Sequence, residues 1–219
     1  MKKFKIGLIR VLTTDNEKVL YAHEKLIREY FPDLDVETKC IPDQPEGIHS
    51  PELGEIAIPK IVATAKTFTD ADMIIVSCAD DPAVKEIRKE LPGIPVTGGG
   101  ETTLALASKY GSKIGVLGIT DYLPRAYQEA EKRYTIIKGK PDCVNSTLDL
   151  LTPEGEKAML EEGVHLREQG AEVLALACTG LATIGIAGKL EKAAGIPVVD
   201  PVIAEGMFAY FESVRKQRM

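Results

Sequence analysis

A chain of 219 residues, 44% of them hydrophobic, can bury a full core, either as one large domain or as two smaller lobes. A formal charge of −6, with lysines and arginines scattered among acids, excludes a nucleic-acid-binding surface. No segment approaches the ~18 consecutive apolar residues of a membrane span, so a soluble, cytoplasmic protein with no membrane partner is expected.

In chain order, short apolar runs alternate with amphipathic stretches. The first run, "KIGLIRVL", reads as a strand. It is short, Lys5 and Arg10 interrupt it, and no small-residue cleavage site follows, so it is not expected to be an export signal. Further strands are predicted at "DVETKCI", "DMIIVSC", "IPVTG", "KIGVLGI", "YTIIKG", "EVLALAC" and "IPVVD". Helical patterns fall at 17–30, 53–68, 82–91, 102–110, 123–133, 153–169, 184–194 and 202–215. The unbroken apolar runs 73–76 and 173–177 suit strands covered on both faces of a parallel sheet. Regular strand–helix alternation predicts an α/β fold. The loop 42–51, "PDQPEGIHSP", is the largest irregular insert and a candidate lid or cleft wall.

An internal repeat organises this pattern. "ADMIIVSCADDP" and "AEVLALACTG" each place Ala and an acid before an apolar strand, then a small residue and a cysteine. Each is followed by a helix and by Gly-Ile-Pro-Val, at 93–96 and 195–198. The earlier strands "KFKIGLI" and "GSKIGVLGI" match in the same order. The expectation is an α/β protein of two pseudosymmetric lobes, each a mostly parallel sheet flanked by helices, with the active site in the interlobe cleft. The lobes are expected at 1–97, joined by the C-terminal helix 201–219, and at 98–200.

Cys78 and Cys178 both fall at the carboxyl end of a predicted strand, where open α/β sheets collect ligands. A helix start after each would supply unpaired N–H groups and a partial positive charge, which favour a thiolate. Two such groups on opposite faces of one carbon form a stereoinverting pair: one thiolate removes the Cα proton and the opposite thiol delivers another. Backbone N–H groups after each cysteine, with Thr179 beside Cys178, are candidates to stabilise the intervening enolate. No lysine stands in a recognisable Schiff-base context, so no cofactor is expected. His23, His49 and His165 are dispersed without metal-ligand spacing, so no metal is expected either. Cys40 and Cys143 have no mates in the repeat and read as structural or incidental thiols in a reducing compartment.

The motifs "SCADDPAV", "ACTGLA" and "GIPVTGGGETTLALASKYGSKIGVLG" resemble the aspartate/glutamate racemase superfamily, most nearly its hydantoin racemase-like branch. The resemblance implies a cofactor-independent two-base racemase acting on a small-molecule substrate, a 5-substituted hydantoin or an amino acid, with Cys78 and Cys178 as bases. It also implies a homo-oligomer. The substrate-binding set expected around the cysteines is Arg10, Thr13, Ala79, Gly99, Thr120, Thr179 and Gly180. One departure is the segment Arg10-Val11-Leu12-Thr13-Thr14, which replaces an Asn-Pro-Asn type turn after the first strand. Arg10 there suits either a carboxylate clamp or a surface ion pair, whereas Asp80 and Asp81 beside Cys78 would repel an anion. Asp81-Pro82 reads as an N-cap with proline at the first helical position. Gly98-Gly99-Gly100 lacks the Lys-Ser/Thr of a phosphate loop and reads as a tight turn. Thr120 is read equally as a substrate contact or a local helix cap, and His49 as a solvated loop residue.

Two other readings stay open on the same residues. One is isomerisation or decarboxylation of a small diacid, as in maleate isomerase-like or arylmalonate decarboxylase-like enzymes. In this superfamily decarboxylation typically uses one of the two cysteines, and both are present here. The other is a two-lobed small-molecule-binding protein without turnover.

Overall fold

In the computed structural model, which describes residues 3–218, the chain divides into two compact units. The first comprises Met1–Gly99 with Val202–Met219, and the second Gly100–Pro201.

The first unit is built on β1 (Phe4–Arg10), β2 (Leu34–Cys40), β3 (Met73–Ser77) and β4 (Val96–Gly98). All pair in parallel, in the order β2-β1-β3-β4. The connections are α1 (Glu17–Leu20) and α2 (Ala22–Tyr30), α3 (Pro51–Ala65), and α4 (Val84–Glu90). β4 runs directly into α5 (Gly99–Ala107), most of which belongs to the second unit.

The second unit repeats the arrangement with β5 (Lys113–Leu117), β6 (Thr135–Gly139), β7 (Val173–Leu176) and β8 (Val198–Val199), in the order β6-β5-β7-β8. α6 (Arg125–Ala130), α7 (Pro153–Glu168), α8 (Thr179–Thr183) and α9 (Ala187–Ala194) connect them. Then α10 (Pro201–Gln217) carries the chain from β8 back to the first unit. The two sheets thus have equivalent strand orders and all-parallel pairing, an α/β architecture.

The fully buried runs Met73–Val76 and Val173–Leu176 form the central third strands. In the first unit Ile9, Ile61, Ile74, Val76 and Ile87 close the core around Cys78; in the second, Leu117, Leu166, Leu174, Leu181 and Leu190 do so around Cys178. Each such aliphatic side chain contributes about 1.5–3 kcal/mol by leaving water. Among the described residues no helix is long and apolar enough to cross a membrane.

Three local features depart from the sequence reading. The predicted helix 17–30 is broken at Tyr21 into α1 and α2, while α8, directly after Cys178, had no periodic pattern to mark it. Nor does Asp81 cap α4. That helix starts at Val84, and its N-cap position is Ala83, in a left-handed conformation with φ of 61° and no side-chain cap.

Gly7 and Gly115 occupy matching places in the first strand of each unit, and both are sites of close approach. A β-carbon on Gly7 would stand 2.6 Å from the Phe68 ring, and one on Gly115 2.8 Å from Leu174 Cδ2 and 3.0 Å from Ala171 Cβ. Gly7→Ala and Gly115→Ala are each expected to destabilise the protein by about 1–3 kcal/mol through overpacking, read as a lower midpoint in urea unfolding.

Candidate functional site

In a sheet ordered 2-1-3-4 the direction of strand succession reverses between the first and third strands, and ligands bind beyond the carboxyl ends there. In the first unit that switch point lies between β1 and β3, and Cys78 follows β3. In the second it lies between β5 and β7, and Cys178 stands just beyond β7. Each unit therefore carries one cysteine at the equivalent topological position. Both are largely buried, 8% and 9% exposed.

The two turns differ in detail. The Cys78 carbonyl accepts from the Asp81 amide at 3.3 Å and from the Gly99 amide at 3.1 Å, which folds the turn against the end of β4. Asp81 and Ala83 both have positive φ, 52° and 61°, so non-glycine residues store strain on either side of Pro82. The Asp81 carboxylate lies against Gly98: a β-carbon there would stand 2.2 Å from its Oδ1. A β-carbon on Gly99 would meet Glu205 Oε1 at 2.8 Å and the Cys78 carbonyl oxygen at 3.2 Å. The glycine run is therefore not a separate turn, since β4 passes straight into α5. Glycine is required because two carboxylates and a peptide crowd the backbone. Ala79 and Asp80 in this turn are buried, at 4% and 8% exposure.

Cys178 is itself the N-cap residue of α8, in extended conformation, and its carbonyl accepts from Leu181 N–H at 3.1 Å. Its sulfur folds over the first turn, 3.3 Å from the point a Gly180 β-carbon would occupy. The cysteine side chain makes no capping hydrogen bond to that helix. Thr179 and Gly180, both half-buried, form the first turn itself. Leu150 and Thr147 back the same point at 3.2 and 3.3 Å.

The remaining expected residues fall into local roles. Arg10 is buried, and its guanidinium Nη1 donates to the Val19 and Leu20 carbonyls, at 2.5 and 3.3 Å, that end α1. At 4% exposure it is not a surface residue. The Thr13 hydroxyl donates to Ile41 O at 2.6 Å and accepts from Gln44 N–H at 2.8 Å, pinning the start of the 42–51 loop to the end of β1. Lys60 holds the same loop through Asp43 O and Gln44 Oε1. The Thr120 hydroxyl donates to Tyr122 O within its own turn. His49 pairs with Glu46 at 3.4 Å on the loop. Cys40 is half-buried at the end of β2, where loss of solvation pushes its thiol up, with a Thr14 backbone hydrogen bond and the Arg10 charge opposing. Cys143 is exposed.

Sequence reasoning missed a buried chain of polar groups behind Cys78. His23 Nδ1 lies 2.8 Å from Ser77 Oγ, and the Ser77 hydroxyl donates to Glu205 Oε2 at 2.7 Å. It missed equally the latch behind Cys178, where Asp149 Oδ2 accepts from Asn145 N–H, Ser146 N–H and the Ser146 hydroxyl. Serine next to a candidate cysteine, and Asn-Ser before an aspartate, are the only traces either leaves in sequence.

Sheet order, cysteine placement and paired cores together describe a duplicated α/β scaffold with one thiol per unit. Residues 6–205 match the family described as Asp/Glu/Hydantoin racemase, and the chain belongs to that family. It is 27% identical over 169 residues to a hydantoin racemase of Pseudomonas sp. (strain NS671), a match that covers 70% of this chain and 64% of that protein. Among solved structures it is similar to allantoin racemase from Klebsiella pneumoniae, with a TM-score of 0.80 at 20% identity, covering 95% of this chain and 86% of the other. It is also similar to a mutant of arylmalonate decarboxylase in liganded form, with a TM-score of 0.66 at 17% identity, covering 96% and 91%. At these identities the structural likenesses speak to the fold.

The hydrogen bonds at Asp149, led by the Asn145 amide, hold its carboxyl below the ordinary carboxylate range. A depressed folded value means that the latch contributes stability above the unfolded value of about 3.9 and loses it as pH falls through the folded one. Asp149→Ala is expected to speed hydrogen exchange at the Asn145 and Ser146 amides by about tenfold at pH 7, with the strands of that unit unaffected.

Proposed function

We propose that this protein is a cofactor-independent racemase that inverts the Cα-type stereocentre of a small neutral cyclic ureide, a 5-substituted hydantoin or allantoin-like ring. Cys78 and Cys178 are its two acid/base groups. The observation that carries the reading is the equivalence of their positions, each just beyond the third strand of its own sheet at the switch point. A duplicated fold that kept only one thiol would suit a one-sided proton transfer; a matched pair suits inversion.

The chemistry follows from the ring. The proton at C5 lies between a carbonyl and an acylated nitrogen, so its removal leaves an enolate with charge on the carbonyl oxygen. One sulfur, as thiolate, takes the C5 proton and becomes a thiol. The other, as thiol, gives its proton to the opposite face and becomes a thiolate. Protons balance, and the protein is left with the two sulfurs exchanged in protonation. The N–H groups at the first turn of α8, from Thr179 and Gly180, are the donors assigned to the developing oxyanion. The mechanism requires both sulfurs to reach one carbon.

Two features favour a neutral ring over an amino acid. Arg10, the cation at the end of β1, spends its Nη1 on helix carbonyls. The Asp81 carboxylate, held against Gly98 at the Cys78 turn, opposes an anionic carboxylate. The relatives named as hydantoin and allantoin racemases act on substrates of this ring class by name.

Optical rotation with a panel of chiral 5-substituted hydantoins, allantoin, aspartate and glutamate tests the reading. Loss of rotation is expected for ring substrates and not for the two amino acids. Cys78→Ser and Cys178→Ser are each expected to slow racemisation by about 10³-fold or more. Racemisation that survives the loss of either thiol, or tight binding of a ring without turnover, contradicts it.

A further inference from the structure

The chain that follows β6 returns to the end of β7, and several independent bonds hold it there. Asp149 Oδ2 accepts the Asn145 and Ser146 amides and the Ser146 hydroxyl, at 2.9, 2.8 and 3.0 Å. Asn145 Oδ1 in turn accepts from Lys140 Nζ at 3.0 Å. At the far end the Thr152 hydroxyl donates to Asp149 O at 2.7 Å and accepts from Gly155 N–H at 3.0 Å. The same threonine thus closes the loop and caps α7. A β-carbon on Gly155 would stand 2.0 Å from Asp149 O, so the loop lies directly on the start of that helix.

This latched loop brings two side chains to the Cys178 turn. Leu150 Cδ1, Cys178 Sγ and Thr147 Cγ2 lie 3.2, 3.3 and 3.3 Å from the one point that a Gly180 β-carbon would occupy. Leu150 is 2% exposed and belongs to the core cluster that contains Cys178, so it supports the turn from inside. Thr147 is exposed, so its methyl group borders the sulfur from the side that solvent reaches. A substrate arriving at that sulfur meets Thr147 before it meets Leu150.

The first unit is built differently at the matching place. Its loop 42–51 also joins the second strand to the next helix, and Thr13 and Lys60 pin it at Gln44. Ile48 Cγ2 on that loop comes to 3.8 Å from the β-carbon position of Gly54, a point that it shares with Asp80 Oδ2 at 3.9 Å. The loop of the second unit therefore reaches the sulfur, where that of the first reaches Asp80, two residues on from its cysteine.

We propose that Thr147 is a specificity-determining residue on the Cys178 side: its side chain limits the bulk that a ring substrate carries at C5 when that carbon is presented to the sulfur. Proton transfer needs the reacting atoms within about 3–3.5 Å of one another. The first atom of the substituent is bonded to C5, so it enters the shell around the sulfur that Thr147 already borders. A narrow first atom, as in a 5-methyl ring, passes that border, and one that branches, as in a 5-isopropyl ring, is crowded by it. The inference rests on the two-cysteine reading above and adds a size limit to it.

Two measurements on the full chain test this. In the first, the protein is alkylated with iodoacetamide or with the bulkier N-cyclohexylmaleimide and read by mass spectrometry, since tryptic cleavage separates the four cysteines into four peptides. Thr147→Ala is expected to raise the maleimide-to-iodoacetamide rate ratio at Cys178 by about tenfold, and Thr147→Leu to lower it by as much. Thr147→Val keeps the width and is expected to leave that ratio in place, and the ratio at Cys78 stays put in all three. In the second, kcat/KM for 5-isopropylhydantoin relative to 5-methylhydantoin is expected to rise about tenfold in Thr147→Ala and to fall about tenfold in Thr147→Leu. A purely structural role predicts a lower Tm with neither ratio moved, and that result overturns the proposal. A Cys178 that resists both reagents in every variant overturns it too, as does a moved substrate ratio with unmoved labelling. Thr147→Ala decides alone if Thr147→Leu does not fold. Racemisation with an unmoved substrate ratio overturns the size limit and leaves the two-cysteine reading standing. Shifted labelling without racemisation of any ring overturns that reading and leaves the crowding at Cys178 standing.

Discussion

The candidate site of the first unit hangs on one carbonyl. Cys78 O accepts two amides, from Asp81 within its own turn and from Gly99 at the start of the next helix. Those two bonds fix the end of β3 to the end of β4, and they bring two acidic side chains against a backbone that has room for neither except at glycine. Left-handed backbone at Asp81 and Ala83 follows from the same closure, and the surrounding buried residues hold it in place. Loosening that carbonyl would free the sulfur, the strained turn and the Glu205 contact together.

The second unit reaches an equivalent position by an easier route. Its third strand ends two residues before Cys178, which caps a helix directly, without a left-handed residue in between. Its support comes from the loop 145–151, latched by Asp149 and applied to Gly180 through Thr147 and Leu150. Two sheets of one topology thus present a thiol at one place on two differently built turns.

Much of the architecture was legible because parallel strands buried on both faces leave unbroken apolar runs, and both third strands do so. The duplication was legible because Gly-Ile-Pro-Val and the cysteines recur in order. Local propensity misled where tertiary contacts took over. Asp81-Pro82 has the composition of a helix start, but the close approach of Gly98 engages the Asp81 carboxylate and the helix begins later. Arg10, at the end of an apolar strand, read as either a carboxylate clamp or a surface ion pair, because a buried cation needs partners that the sequence does not show. The carbonyls ending α1 supply its partners, and only the folded chain brings them there. His23, Ser77 and Glu205 come from three distant segments, so no spacing in the sequence could have linked them.

The central claim, that two cysteines work on one carbon from opposite faces, is tested most directly by isotope placement at low conversion. A single enantiomer of a 5-substituted hydantoin is incubated with the wild-type protein in D₂O, and the two enantiomers are separated and weighed by mass spectrometry. The account predicts a product enantiomer carrying solvent deuterium at C5 and a remaining substrate that is still protiated. Equal deuterium in both enantiomers, or a product that retains the substrate's own proton, would indicate one group acting on one face and would contradict it.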